Sequence, residues 1–251
     1  MKKKSWGPMA ANILLVWIIL AISIFISDSI FIQNGNRDID YINFDKPYEQ
    51  YVFREFSSDS FQNLNVNVEN SNFEIAPGDI AGSILESTYY FEDQSPDILS
   101  GNNSLTIQSN PFQLNPNKIF RPHQSDISLT TSESFEKIYT VVENSSIQFT
   151  INNFKKFEAQ IKNTSGIIEF GDFDTNSNTI MEIRNSDIDI TINRQNPFLL
   201  HFENTGNLTI DGKQQSESGT YSSSGFQNAE ISMDLTIKID KDSTVNLTIQ
   251  E

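Results

Sequence analysis

The chain has 251 residues, of which 37% are hydrophobic and 19 are phenylalanine, but it contains no cysteine. Such a composition can build a large hydrophobic core, and it excludes disulfides, thiolate catalysis and cysteine-based metal sites. The two histidines, His123 and His201, lie in unrelated contexts, so a histidine-rich zinc site is not expected. The formal net charge of −16, without a Lys or Arg cluster after residue 4, excludes nucleic acid as a partner.

The amino terminus has the pattern of a membrane anchor. Three lysines at positions 2 to 4 precede an uncharged, largely apolar stretch from Trp6 to Ile26, which is long enough to cross a bilayer as a helix. The lysines predict a cytoplasmic tail over residues 1–5, a single transmembrane helix over 6–27, and a C-terminal domain outside the cytoplasm. A cleaved signal peptide is the alternative, and it places the remaining chain on the same side of the membrane.

The chain after the anchor divides into a stalk and a β-rich ectodomain. Residues 28–60 mix acidic and aromatic side chains without a period, and we interpret them as a stalk or linker that could contain a short helix near Tyr48–Phe56. In residues 61–251, apolar residues alternate with Asn, Thr, Ser or Asp, which is typical of half-buried strands. The clearest alternating runs are 64–68, 105–107, 127–129, 147–151, 188–192, 208–210, 235–239 and 245–249.

Three segments interrupt this alternation. Gln94–Asn103 and Pro111–Ser125 contain prolines and are predicted to be loops, and Lys213–Gly225 is predicted to be a flexible excursion. The last two runs, Ala229–Ile239 and Thr244–Ile249, are predicted to form a closing hairpin. Such a cap is needed because an open solenoid end exposes strand edges and apolar surface.

A short unit recurs along the ectodomain: an apolar residue, a charged residue, Asn, and then Ser or Thr. Because Asn tolerates the left-handed backbone conformation, this unit predicts sharp corners between strands. The predicted corners are Asn70, Asn144, Asn163, Asn185 and Asn204, and the last four are separated by 19, 22 and 19 residues. A spacing near 20 residues favours a short β-helix or β-solenoid. An antiparallel β-sandwich with Asn-Ser turns is the alternative.

Four segments of the ectodomain carry a family pattern: FEAQIKNTSGIIEF (157–170), TIMEIRNSDIDITI (179–192), LLHFENTGNLTIDG (199–212) and AEISMDLTIKIDKDSTVNLTI (229–249). Through them the ectodomain resembles the toast-rack domains, the LiaF-like and putative-adhesin families of strand-repeat envelope proteins. The resemblance implies a short β-helix that is often tethered to a membrane, and it supplies no catalytic residues. Some of these proteins regulate envelope-stress signalling through a membrane partner, although LiaF-like proteins carry several membrane helices and this chain has one predicted anchor.

The sequence offers few candidates for chemistry. Asp187 and Asp189 share one face of a strand and could approach Glu182 or Glu169 on neighbouring coils, as a carbohydrate-active β-helix enzyme would require. Residues 171–178 begin like a calcium loop but lack its required glycine and bidentate glutamate. We therefore predict no catalytic, cofactor-binding or metal-binding residues, and no cofactor.

These observations predict a non-catalytic, adhesin-like interaction module of the cell envelope. Its expected partners are the membrane, through the N-terminal helix, and a protein or envelope polymer. The alternatives are a regulatory or sensory subunit that acts through a membrane partner, and a carbohydrate-active β-helix enzyme.

Overall fold

The computed structural model describes residues 51–57, 61–79, 82–89, 95–101, 103–109, 125–132, 134–193, 195–215 and 217–250. In these residues the alternating runs form β-strands, and the alternation decides which side chains are buried. In Asp187–Asn193, for example, all three isoleucines are buried and the polar residues between them face outwards. The β-branched residues that dominate these runs suit a pleated, half-buried surface.

The strands form two sheets, which we call sheet A and sheet B. Sheet A contains β1 (Tyr51–Ser57), β3 (Ser71–Pro77), β4 (Ser83–Tyr89), β7 (Ser125–Thr131), β9 (Ser146–Ile151), β11 (Ser165–Phe170), β13 (Asp187–Asn193), β15 (Asn207–Ile210), β16 (Lys213–Gln214) and β19 (Thr244–Gln250). Sheet B contains β2 (Asn63–Glu69), β5 (Asp97–Gly101), β6 (Ser104–Gln108), β8 (Phe135–Glu143), β10 (Phe154–Lys162), β12 (Ser177–Arg184), β14 (Phe198–Asn204), β17 (Ser218–Ser222) and β18 (Met233–Ile239). A short 3-10 helix covers Phe226–Asn228.

Seven levels of a solenoid are present in the described part of the chain, and each consists of one strand of sheet B and the next strand of sheet A. Neighbouring levels pair in parallel within both sheets, as β10 does with β8 and β12. This parallel stacking confirms the predicted all-β solenoid and excludes the antiparallel sandwich. In space the levels follow the order β6/β7, β2/β3, β8/β9, β10/β11, β12/β13, β18/β19 and β14/β15.

The hydrophobic core fills the space between the two sheets. Phenylalanines dominate its centre, where the ring of Phe170 lies 5.7 Å from the rings of both Phe154 and Phe157. Phe73 and Phe149 make an edge-to-face contact at 5.6 Å between ring centroids. Each buried ring contributes roughly 1.5–3 kcal/mol through the hydrophobic effect, so these rings tie adjacent levels together.

Antiparallel strands close both ends of the solenoid. At one end β4 pairs with β7, β1 pairs with β4, and β5 pairs with β6. At the other end β16 pairs with β15, and β17 pairs with β14. These antiparallel strands extend the two sheets beyond the point where the parallel levels end.

The predicted closing hairpin is wrong. β18 and β19 belong to different sheets, and they insert as one complete level between the β12/β13 and β14/β15 levels. The alternation of apolar and polar residues is the same in parallel and antiparallel strands, so it could not distinguish these two arrangements. The segment between β15 and β18 is long enough for the chain to step past the terminal level and return.

Three other segments differ from the expectations. β5 lies inside the predicted loop Gln94–Asn103, and β16 and β17 lie inside the predicted excursion Lys213–Gly225. β1 lies within the predicted stalk, where a short helix was considered. These segments form strands because a neighbouring strand supplies partners for their backbone hydrogen bonds. Their own sequences lack a clear alternating pattern that would have predicted a strand.

Four predicted segments lie wholly or mostly outside the described residues. They are the cytoplasmic tail over 1–5, the transmembrane helix over 6–27, most of the stalk over 28–60 and most of the loop Pro111–Ser125. Among the residues that the structure does describe, no helix has the length and apolar character needed to cross a bilayer.

Candidate interaction surface

Four of the predicted corner residues connect a strand of sheet B to the next strand of sheet A in the left-handed conformation. Their φ angles are 53° at Asn70, 52° at Asn144, 51° at Asn163 and 46° at Asn185. Asn204 is placed differently, because it is the buried last residue of β14 and its side chain accepts a hydrogen bond from the Gly206 N–H at 3.1 Å. We call the side of the solenoid where the chain turns from sheet B to sheet A the corner edge.

The corner side chains bond to one another along the solenoid axis. Asn163 Nδ2 donates to Asn144 Oδ1 at 2.9 Å, and Asn185 Nδ2 donates to Asn163 Oδ1 at 2.6 Å. At the next level Asp240 takes this place, and its carboxylate accepts the backbone N–H of Asn185 at 3.0 Å. These four side chains form a ladder across four levels.

The residue after each corner Asn has a separate role that the sequence reasoning missed. The hydroxyls of Ser145, Thr164 and Ser186 each donate to the carbonyl two residues earlier, at 2.7, 2.8 and 2.7 Å. The Thr164 N–H donates to Ser186 Oγ, and the Ser186 N–H donates to Ser243 Oγ. The hydroxyls therefore satisfy backbone groups that the turns would leave buried without partners. The recurring Asn-Ser/Thr dipeptide is the signal that could have revealed this.

Asp240 is the one acidic member of the corner ladder. Burial acts to raise its pKa, but hydrogen bonds from the Ser243 hydroxyl and from the backbone N–H groups of Asn185 and Asp242 outweigh burial. The pKa of Asp240 is therefore lowered from its ordinary value of 3.8.

The outer face of sheet B carries both signs of charge in close pairs. Lys137 and Lys156 both bond Glu158, at 2.9 and 2.6 Å, and these two hydrogen bonds lower the pKa of that carboxyl. The remaining cations of the level-forming strands are also paired. These pairs are Lys155–Glu136, Lys162–Glu143, Arg184–Glu182 and Lys238–Glu203.

The outer face of sheet A carries negative charge without such compensation. Its seven level-forming strands contain no Lys or Arg. Uncharged amides and hydroxyls donate hydrogen bonds to several of its carboxylates. Asn72 Nδ2 donates to Asp126 at 2.7 Å, and Thr150 Oγ1 donates to Glu169 at 3.2 Å. The five carboxylates of these strands are Glu74, Asp126, Glu169, Asp187 and Asp189.

Cations occur in sheet A only on its antiparallel end strands, at Arg54 on β1 and Lys213 on β16. Arg54 pairs with Glu86 of β4 at 2.9 Å. A depression of about 490 Å³ lies on this face, and its lining includes Glu74, Asp126 and the exposed Ile167. The face is otherwise a flat surface of Ser, Thr, Asn and Gln side chains between the carboxylates.

The structure separates the acidic residues that were considered for catalysis. Asp187, Asp189 and Glu169 lie on the outer face of sheet A, but Glu182 lies on sheet B, where it pairs with Arg184. Asp189 accepts a hydrogen bond from Asn246 Nδ2 at 2.9 Å. Of the two carboxylates considered as neighbours of the aspartate pair, Glu182 is therefore excluded, whereas Glu169 lies on the adjacent strand β11.

The segment compared with a calcium loop is a connection from β11 to β12. Its Asp172 accepts a hydrogen bond from Asn193 Nδ2 at 2.9 Å, and the Asp174 N–H donates to Asn153 Oδ1 at 3.2 Å. Within the described ranges, no three His, Asp or Glu side chains are grouped so that they could hold a metal ion.

The fold is similar to that of a putative cell adhesion protein from Clostridium sporogenes, with a TM-score of 0.65 and 12% identity over 80% of this chain and 100% of that chain. A putative adhesin from Bacteroides fragilis gives a TM-score of 0.38 at 10% identity, over 80% and 98% of the two chains. A putative lipid binding protein from Parabacteroides distasonis gives 0.32 at 12% identity, over 79% and 96%. Only the first score is high enough to show a shared fold. No family model and no curated protein sequence matches the chain.

Proposed function

We propose that this protein is a membrane-anchored, extracytoplasmic interaction module of the cell envelope, adhesin-like and non-catalytic. The observation that carries the proposal is the unequal charge of the two outer faces. On the level-forming strands of sheet B six cations offset seven carboxylates, whereas the seven level-forming strands of sheet A present five carboxylates and no cation. The fold shared with a putative cell adhesion protein supports the same role.

The outer face of sheet A is the binding surface in this proposal, and its partner is a positively charged protein or envelope polymer. Uncompensated charges on one face create a field that attracts an oppositely charged partner and is screened by salt. A flat sheet with hydroxyls and amides between the carboxylates can also hydrogen-bond an extended polymer.

The anchor in this proposal is the apolar segment 6–27, with the tail 1–5 in the cytoplasm. Because the chain has no cysteine, single cysteines can be introduced as clean topology probes. In intact cells, a membrane-impermeant maleimide should label Ser224→Cys, in the exposed turn after β17, and should not label Ser5→Cys. Equal labelling of both positions before lysis, or labelling of Ser5→Cys alone, would contradict the proposed topology.

The binding surface is tested with the full chain in phosphatidylcholine vesicles, against immobilised polylysine and the amino-sugar polymer chitosan. A triple variant of sheet A, Glu74→Gln, Asp187→Asn and Asp189→Asn, should weaken binding by about tenfold or more at low salt, because three charge contacts are lost.

The matched control removes three carboxylates from sheet B, as Glu143→Gln, Glu158→Gln and Glu182→Gln. Both variants change the net charge equally, so a difference between them reports position on the surface. Equal weakening by the two triple variants would show that binding follows net charge, and it would refute the assignment to sheet A.

A further inference from the structure

β17 is the last strand of sheet B at the C-terminal end of the solenoid. It pairs antiparallel with β14 on one side, and no strand in the described residues pairs with its other side. Three side-chain contacts hold it in place: the Tyr221 ring stacks on Phe198 at 5.9 Å, the Phe198 N–H donates to Ser223 Oγ at 2.8 Å, and Thr220 Oγ1 lies 3.5 Å from His201 Nδ1. The strand is therefore a fixed edge of the sheet.

The hydrogen bonds to β14 show which backbone groups of β17 face outwards. The Asn204 N–H donates to the Glu217 carbonyl at 2.5 Å, and the Ser223 N–H donates to the Phe198 carbonyl at 3.0 Å. In an antiparallel pair, alternate residues bond the same neighbour, so Gly219 and Tyr221 also face β14. The N–H and C=O groups of Ser218, Thr220 and Ser222 consequently point to the free side.

This edge lacks the features that protect exposed edges in soluble proteins. Such edges are usually very short or carry charges or proline, and the neighbouring edge strand β16 is both short, at two residues, and charged, through Lys213. β17 has five residues, Ser-Gly-Thr-Tyr-Ser, with no charge and no proline. On a chain of net charge −16, an uncharged edge is a place where two copies can approach without bringing like charges of the pairing strands directly opposite each other.

We propose that β17 pairs antiparallel with β17 of a second copy of this chain. A two-fold axis through Thr220 places Thr220 opposite its counterpart and Ser218 opposite Ser222, so the outward N–H and C=O groups of all three residues are paired. The interface is isologous, which closes at a dimer. Sheet B then continues across the two copies without an interruption.

The position of β17 determines how the two copies are oriented. β17 lies at one end of the solenoid, whereas the chain enters through β1 at the opposite end. At about 4.8 Å per strand, each solenoid is about 40 Å long, so pairing at β17 places the two entry points roughly 80 Å apart and facing away from each other.

The pairing is tested by sedimentation equilibrium of the detergent-solubilised full chain. The wild type should dimerise, and Thr220→Lys should weaken the dimer by about tenfold or more, because two lysines would face each other across the axis. The matched control is Thr236→Lys, which adds the same charge in the same row of sheet B on β18, two strands from the edge. Thr220→Pro, which removes an outward N–H that β14 does not use, should act like Thr220→Lys.

Thermal unfolding of all three variants keeps the test interpretable, since each should unfold within a few degrees of the wild type. A wild-type chain that stays monomeric, or a dimer that Thr220→Lys and Thr236→Lys weaken equally, would overturn the proposal. If β17 instead paired with a strand of another protein, the wild-type chain on its own would stay monomeric.

Discussion

The two long edges of the solenoid are built differently, although the same chain forms both. At the corner edge, the four connections after β2, β8, β10 and β12 repeat an Asn followed by a hydroxyl residue, and backbone and side chains bond from level to level. At the opposite edge, which we call the return edge, the connections vary from two residues between β9 and β10 to six between β11 and β12. The four repeated Asn turns are therefore the regular part of the stack.

The difference predicts that substitutions at the corner edge destabilise the protein more than matched substitutions at the return edge. Corner groups are in contact with backbone atoms of the next level, which cannot move without displacing the stack. At the return edge, Gly171 instead faces the side chain of Asn152, which can rotate away.

The largest contrast is expected between two glycines. A Cβ at Gly206, on the corner edge, would lie 2.2 Å from the Asp240 carbonyl oxygen and 2.5 Å from that of Ser243. Gly206→Ala should therefore cost about 3 kcal/mol or prevent folding, because backbone must shift. A Cβ at Gly171, on the return edge, would meet the Asn152 side-chain oxygen at 1.9 Å, which can turn aside, so Gly171→Ala should cost less than about 1 kcal/mol. Urea unfolding of both variants measures the difference, and equal losses would contradict it.

Two buried serines provide the next contrast. The Ser186 hydroxyl at the corner edge bonds the Arg184 carbonyl and accepts the Thr164 N–H, so Ser186→Ala should cost about 1–3 kcal/mol by leaving that N–H without a partner. The Ser177 hydroxyl, where the return edge enters β12, is buried without a hydrogen-bond partner. Ser177→Ala should therefore change stability by no more than about 0.5 kcal/mol or increase it. Chemical denaturation should rank the two variants in this order, and the reverse order would break the comparison.

A smaller effect is expected at Asn163, whose φ is 51°. Asn163→Ala should cost about 1–2 kcal/mol because a Cβ without local hydrogen bonding is strained in the left-handed conformation. Asn163→Gly removes the same ladder bonds but relieves the strain, so it should cost clearly less. If both variants lost the same free energy of unfolding, the ladder bonds would matter and the backbone conformation would not.

The smallest effect is a pH dependence at Asp240. Because the folded pKa of this carboxyl lies below its ordinary value of 3.8, the ionised form stabilises the fold above that pH. This contribution should be lost as the pH falls from about 4 through the folded pKa. Asp240→Asn should be less stable than the wild type at pH 6, and the gap should narrow below pH 4. A gap that stays constant over this range would show that ionisation of Asp240 does not contribute.

The sequence predicted the corner edge better than the rest of the molecule. Asn144, Asn163 and Asn185 adopt a left-handed backbone conformation that few other residues tolerate. The residue type and the interval between successive Asn residues are therefore enough to predict these turns. Asn204 shows the limit of that reasoning. It has the same sequence neighbours, but it lies in the last parallel level of the stack, where its side chain accepts the Gly206 N–H.

The sequence by itself determined that the ectodomain is all-β, which side chains enter the core, and that the strands stack at intervals near 20 residues. These properties follow from a period of two and from corner residues, which act within a few residues of the chain. Only the tertiary structure decided that β18/β19 lies inside the stack, that β1, β5 and β17 are edge strands, and that the cations gather on sheet B. Those outcomes depend on which strand becomes the neighbour of another, and strand pairing is set by contacts between residues far apart in sequence.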